Sequence, residues 1–304
     1  MIRSKRLTQA LLNAWLVEHR LAMSHTRYRL RLWRENRAGL AGIKSELESY
    51  IDEAFEDARK RIRSGFEDDL SPFNDDPNSD PAANYPALLH QFTLQGYFGE
   101  ILAVIAVEHW GAHGHTDWVV PAFLFRFHDV EFQHLELINQ KLRSGGIHNP
   151  DEPEEIRPGH TGDDGLAFRM NAGNLITEVL TLEAKCVDRH NSGKIREAHE
   201  KLAQGGQLPV GVRELINLLS EYATPEANIW QEALLKLWRG GYRDVARCDC
   251  VVYACGQTPV RAGRLTWMPV DEPHVTYAIT RNLEGMEFHF QDLPEVVLTL
   301  HRRE

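Results

Sequence analysis

Apolar residues recur at three- and four-residue steps through the first part of the chain. Leu11, Leu12, Trp15 and Leu16 are followed by Leu40, Ile43, Leu47, Ile51 and Phe55, with Glu46, Glu48, Glu53 and Glu56 between them. That spacing keeps one helix face apolar, so residues 1–66 are expected to form a helical hairpin or small helical module. The pattern breaks at residues 67–85, EDDLSPFNDDPNSDPAANY, where acids, Pro and Asn leave too little apolar surface to order the chain. A linker and a domain boundary are expected there, with residues 86–304 as the second unit. This unit opens with an amphipathic helix around YPALLHQFTLQGYFGEILAVIAVEHWG, a strand near WVVPAFLFRF and a helix near VEFQHLELINQKL, before a polar loop from Ser144 to Asp163. GLAFRM and LITEVLTLEAKC then read as two strands joined at NAGN, whose Gly and Asn suit positive φ. Helices at KIREAHEKLAQ, VRELINLLSEY and NIWQEALLKLW precede strands at DCVVYAC and HVTYAIT. The order is mixed α/β, a hairpin centre flanked by helices, without an internal repeat.

Composition changes this picture little. The 304 residues are 42% hydrophobic and 26% charged, as in an ordinary globular chain, and no run approaches a membrane-spanning length. The first twenty residues lack the apolar centre and cleavage site of a secretion signal, so a cytoplasmic location is expected. Cys186, Cys248, Cys250 and Cys255 fit no paired zinc spacing and read as small packing residues.

Charge changes it more. The net charge is −10, yet residues 1–38 hold nine basic residues against Glu18 and Glu35. In RYRLRLWRENR, Arg27, Arg29, Arg31 and Arg34 alternate with Tyr28, Leu30 and Leu32 around Trp33. Such a surface could meet phosphate or an acidic protein, or be a plain solvated basic helix face. The expectation here is a partner-docking arm, with Trp15, Leu16 and Trp33 as apolar anchors and the arginines at the rim.

The chemistry concentrates in VLTLEAKCVDR. Val179, Leu180 and Leu182 read as a buried strand, but Glu183 and Lys185 leave one face of it. Hard divalent cations take carboxylate and carbonyl oxygens, and two neighbouring strands can each supply an acid. The second acid is in HTGDDGLAFR: Asp164 shares a face with Leu166 and Phe168 and is favoured by that phase, with Asp163 the alternative. A lysine two residues beyond the glutamate can reach a metal-bound water or a phosphate. Glu183-Ala184-Lys185 is the only acid-x-Lys of the chain.

This series resembles the PD-(D/E)xK nuclease superfamily: an acid opening one strand, then an apolar strand ending in Glu-x-Lys. The family's further acid on the preceding helix is matched by Glu100 in GYFGEILAVIAVEHW, where Gly96 and Gly99 permit close packing on the sheet. Across FGEIL, GDDG and LEAKC the chain looks most like nuclease effectors of bacterial anti-phage systems of the Hachiman and Lamassu type, over roughly residues 90–205. The resemblance implies a restriction-endonuclease-like α/β fold, a mixed sheet flanked by helices, here with the N-terminal helical module added. It also implies Mg²⁺ or Mn²⁺ as cofactor and phosphodiester hydrolysis as the reaction. Asp164, Glu183 and the Ala184 carbonyl would hold the metal, Lys185 would orient the water and Glu100 would complete the acidic cluster. Lys194, His199 and Lys201, on the following helix, match positions that touch the DNA backbone or the water.

Each piece also has a plain reading: a charge pair on a strand, turn residues in TGDDG, an acid near a helix start. Their order favours the nuclease. His113 and His115 lack a third ligand, and neither a Gly-x-Ser-x-Gly elbow nor a Walker-type loop occurs. An acidic protein meets DNA poorly alone. The expected partners are therefore DNA and an SMC-like ATPase or helicase subunit of a defence complex, with no membrane and with self-association on activation left open. The alternative is a non-catalytic scaffold subunit that docks an ATPase.

Overall fold

The computed structural model describes residues 7–22, 25–66, 80, 82–83, 85–124, 129–149, 164–206, 209, 211–261 and 263–302. Its centre is a six-stranded mixed sheet. The strands are β1 (Leu16–His19), β2 (Tyr28–Glu35), β3 (Gly165–Met170), β4 (Ile176–Val187), β5 (Ala246–Cys255) and β6 (Leu283–His289), in the spatial order β1-β2-β6-β5-β4-β3. β2, β6, β5 and β4 run parallel, and β1 and β3 pair antiparallel at the two edges. The α/β class with a mixed sheet flanked by helices is as expected.

Helices cover both faces. On one lie α1 (Gln9–Trp15), α2 (Arg37–Phe66), α3 (Gln91–Trp110) and α8 (Leu293–His301), packed on Leu180, Leu182, Ala184, Val252, Met286 and Phe288. On the other, α5 (Ser192–Gln204) covers Val251 and Tyr253. On that same face α6 (Gly211–Ser220) and α7 (Pro225–Arg239) cover Leu166, Phe168 and Val179. α4 (Asp129–Arg143) occupies the stretch read as a helix from its sequence. Local chemistry sets the boundaries: Thr224 caps α7 by accepting from the Ala227 N–H, with Pro225 in the first turn, and Asp292 caps α8 from the Glu295 N–H. In the NAGN turn it is Asn174, at φ 56°, that takes the left-handed conformation. Asn171 Oδ1 holds the turn by accepting from the Gly173 and Leu175 N–H groups.

The N-terminal expectation needs correction. Residues 28–35 are a strand inside the sheet, between β1 and β6. Their alternation has period two, so Tyr28 and Leu30 enter one core and Trp33 the other. Trp33 is fully buried, stacked on Phe288 with centroids 4.8 Å apart, and Arg31 lies over it at 4.5 Å. Arg31 also donates to Glu18 and to the Trp110 and Gly111 carbonyls. Trp15 and Leu16 are buried in the same cluster as α2 and α8. Residues 7–66 thus carry the expected helices, α1 and α2, but their two strands build them into the sheet and its core, so they are not a separate module. The anchors expected to meet a partner are core residues. Arg34 is partly buried, and only Arg27 and Arg29 of the series are exposed. Most of the expected linker, 67–79 with 81 and 84, lies outside the described residues.

Three further expectations shift. Among the described residues of WVVPAFLFRF, 118–124, the sheet gains only a single bridge, Val119 to Phe168, with Pro121 unable to donate to a ladder. HVTYAIT is turns and bends, and the strand falls instead on LEGMEFH, where Gly285 lets Leu30 approach: a Cβ there would lie 2.9 Å from Leu30 Cδ1. The helix around Glu100 is buried on nearly all sides, because α2, α8 and the sheet enclose it. The four cysteines are free, three of them buried, as read from their spacing. Among the described residues no helix is long and apolar enough to cross a membrane.

Candidate metal and phosphate site

β4 sends Thr181, Glu183 and Lys185 toward α5, while Leu182, Ala184 and Cys186 point to the opposite layer. β3 enters antiparallel, with Gly165 opposite Leu182, and Asp164 stands immediately before it. The hairpin therefore brings Asp164 beside Glu183. Two backbone bonds fix it: the Asp164 N–H donates to the Leu182 carbonyl at 3.2 Å, and the Ala184 N–H donates to Asp164 Oδ2 at 2.7 Å. Ala184 lends the site this N–H. Asp163, the alternative ligand, lies outside the described residues.

The cations arrive from two elements. Lys185 Nζ, on β4 itself, is 2.8 Å from Glu183 Oε1 and 3.1 Å from Glu197 Oε1. Lys201 Nζ, from α5, is 3.0 Å from Asp164 Oδ1 and 2.5 Å from Glu183 Oε2. Lys194 closes the row on the surface, 2.7 Å from Glu197. Asp164, Lys201, Glu183, Lys185, Glu197 and Lys194 form a chain of alternating charge, deepest at Glu183, 1% exposed, and open at Lys194, 44% exposed. Glu197 had no role in the sequence reading, although its four-residue spacing to Lys201 places both on one helix face.

Burial, then the neighbouring Asp164 carboxylate, pushes Glu183 up to about 7, against the opposing pull of Lys201 and Lys185. Burial alone would lower Lys185 and Lys201, but their carboxylate partners outweigh it and hold both above the usual lysine value. Both lysines are therefore firmly charged; burial makes Glu183 hold a proton more readily than an ordinary carboxyl, while the two ammoniums against it favour its ionised form. Glu197 is held below its ordinary value by Lys194 and Lys185, although burial pulls it upward.

Glu100 is not brought into this group. Gly99 packs on the face of β4 that carries Ala184 and Cys186, where a Cβ would come within 2.8 Å of Cys186 Cβ. α3 thus lies across the sheet from Glu183, with Gln95 Nε2 donating to the Cys186 carbonyl at 3.0 Å. Glu100 is buried in that layer, and strand alternation separates it from the Glu183 face. Gly96, by contrast, borders open space. His199 is also misplaced by the sequence reading. It is completely buried, bonded through Nδ1 to the Ile195 carbonyl at 2.8 Å, and cannot meet a nucleic-acid backbone. Lys201 is turned inward to the carboxylates, which leaves Lys194 as the one of the three expected contacts on that helix that faces solvent.

Among the described residues no set of three or more His, Cys, Asp or Glu side chains gathers to hold a metal. Two carboxylates do converge on one cation, the Lys201 ammonium. Hard oxygen donors from one or two carboxylates, with water filling the remaining positions, are what Mg²⁺ ordinarily takes. In donor type the pair fits such an ion.

The other buried acids serve different ends. Glu287 accepts from the Trp267 and Met268 N–H groups and faces His289, fastening a loop to β6. Asp249 accepts from Tyr277 and Arg281. Glu284 accepts from the His113 N–H. No protein-family model matches the chain, and no curated protein matches it either.

Proposed function

We propose that the chain is a metal-dependent nuclease subunit that hydrolyses phosphodiester bonds of DNA. The observation that carries the reading is the convergence of Asp164 and Glu183, from neighbouring strands, on one cation position, with Lys185 2.8 Å from the second acid. Asp164 Oδ1 and Glu183 Oε2 would hold the ion. A bound dication supplies charge for the phosphate oxygens and a more acidic water. Lys185, held charged between Glu183 and Glu197, offers a donor to the charge that builds on phosphate. Lys194, half-exposed at the outer end of the row, suits the approaching backbone. The acidic net charge favours a partner that brings the nucleic acid, such as an SMC-like ATPase or helicase of an anti-phage complex, and the setting proposed for it is the cytoplasm. Labelled DNA incubated with the purified chain should be cut with Mg²⁺ or Mn²⁺ and left intact with excess chelator. Cutting that survives chelation sinks the reading.

A second reading has its own observation. The charge row is closed on itself, each carboxylate facing a lysine, as a structural ladder in a non-catalytic scaffold would be. Glu183→Gln separates the two. A scaffold loses stability and keeps its partner's activity unchanged wherever it still folds, whereas a nuclease loses cleavage even at temperatures where the variant is fully folded.

A further inference from the structure

The ammonium between Asp164 and Glu183 is donated by a helix. Lys201 sits in the last turn of α5, and its side chain is 30% exposed, so its head group reaches water by rotating about its own four-carbon stem. Lys185 is more enclosed, at 16%, and is tied to both Glu183 and Glu197. Counted along the whole row, the three carboxylates and three ammoniums balance. A dication added with both lysines in place would leave an uncompensated excess of two positive charges in a largely desolvated site, which is strongly unfavourable. One lysine must leave, and the exposed one, on the helix, is the one that can.

We infer that Lys201 is a built-in competitor for the divalent cation: its ammonium occupies the metal position in the resting chain and is displaced when the ion binds. The inference rests on the reading of Asp164 and Glu183 as metal ligands. The site is therefore closed until the ion reaches a concentration that outcompetes a tethered cation. Once released, Lys201 stands beside the metal with a free ammonium, next to the phosphate that the ion would hold.

The test is Mn²⁺ binding to the full-length chain, followed by electron paramagnetic resonance of the free ion and by calorimetry, with no nucleic acid present. Lys201→Met removes the competitor and keeps the stem, so Mn²⁺ should bind about tenfold tighter or more. Lys201→Arg presents a planar fork that holds carboxylates in two bonds at once, so Mn²⁺ should bind more weakly than to the wild type. Opposite shifts in these two variants cannot come from a general loss of fold. Equal affinity in wild type and Lys201→Met, or weakening in both variants, overturns the inference. Glu183→Gln separates this from failure of the underlying reading. If that variant loses Mn²⁺ while the Lys201 variants bind like wild type, the metal site stands and the competitor role is wrong; if it binds like wild type, the site itself is wrong.

Discussion

Trp33→Ala is the sharpest perturbation of the N-terminal segment. The indole is fully buried between Phe288, at 4.8 Å and 10° from parallel, and Trp110, at 5.0 Å, with the Arg31 guanidinium 4.5 Å away. Removing a buried Trp side chain costs about 3–5 kcal/mol through lost transfer energy and the cavity left behind. Within that loss each aromatic contact accounts for about 1 kcal/mol beyond area, and Arg31 would lose the ring that covers it, which places the cost in the upper part of the range. A total near 4–5 kcal/mol is a large share of the stability of an ordinary domain, about 5–15 kcal/mol. With a urea slope of about 3 kcal/mol per molar, the unfolding midpoint should fall by more than about 1 M. Circular dichroism and tryptophan fluorescence should report the same shift. Trp33→Phe should recover most of it, and a double-mutant cycle with Phe288→Leu should give a coupling of about 0.5–1.5 kcal/mol. A loss below about 1 kcal/mol for Trp33→Ala would place the indole outside the core. The strand assignment, and the exclusion of Trp33 from a docking surface, would then be wrong.

Further outcomes follow from the same packing. Arg31→Glu should destabilise strongly, because it sets a carboxylate beside Glu18 and within reach of the buried Glu284, whereas Arg27→Glu, on an exposed residue whose guanidinium donates to the Thr280 carbonyl, should shift thermal unfolding little; equal effects would contradict the burial of β2. Gly99→Ala puts a methyl 2.8 Å from Cys186 Cβ and should cost about 1–3 kcal/mol of unfolding free energy, partly recovered by Cys186→Gly. His199 and His301 are both held down to about 4 by burial, against an ordinary 6.5. Unfolded imidazoles therefore take up protons first, so stability is full above pH 6.5 and is lost as the pH falls toward 4. His301→Met should flatten the fall in unfolding temperature over that interval, and an unchanged slope would remove His301 as a cause.

The hairpin that builds the site was legible because its signals are local. The NAGN turn, two short apolar runs and an acid at each mouth fix register, and register fixes which side chains share a face. The Arg-rich segment misled because the helical period on either side of it masked a period-two pattern only eight residues long. β6 was hidden by Glu284 and Glu287, acids that a strand can bury only when distant backbone amides such as those of His113, Trp267 and Met268 satisfy them. The placement of Glu100 had the same origin: the sequence puts an acid on the right helix but not on a given side of the sheet. Lys201 looked like a solvent-facing cation for want of any sign that α5 crosses directly over Glu183.

The most direct test of the proposed site is anomalous diffraction from crystals soaked in Mn²⁺. The account predicts one strong peak bonded to Asp164 Oδ1 and Glu183 Oε2, with the Lys201 ammonium moved away, and no peak in Glu183→Gln crystals. Wild-type crystals with no peak there at saturating Mn²⁺, or with the ion bound elsewhere while the chain still cleaves DNA, would contradict it.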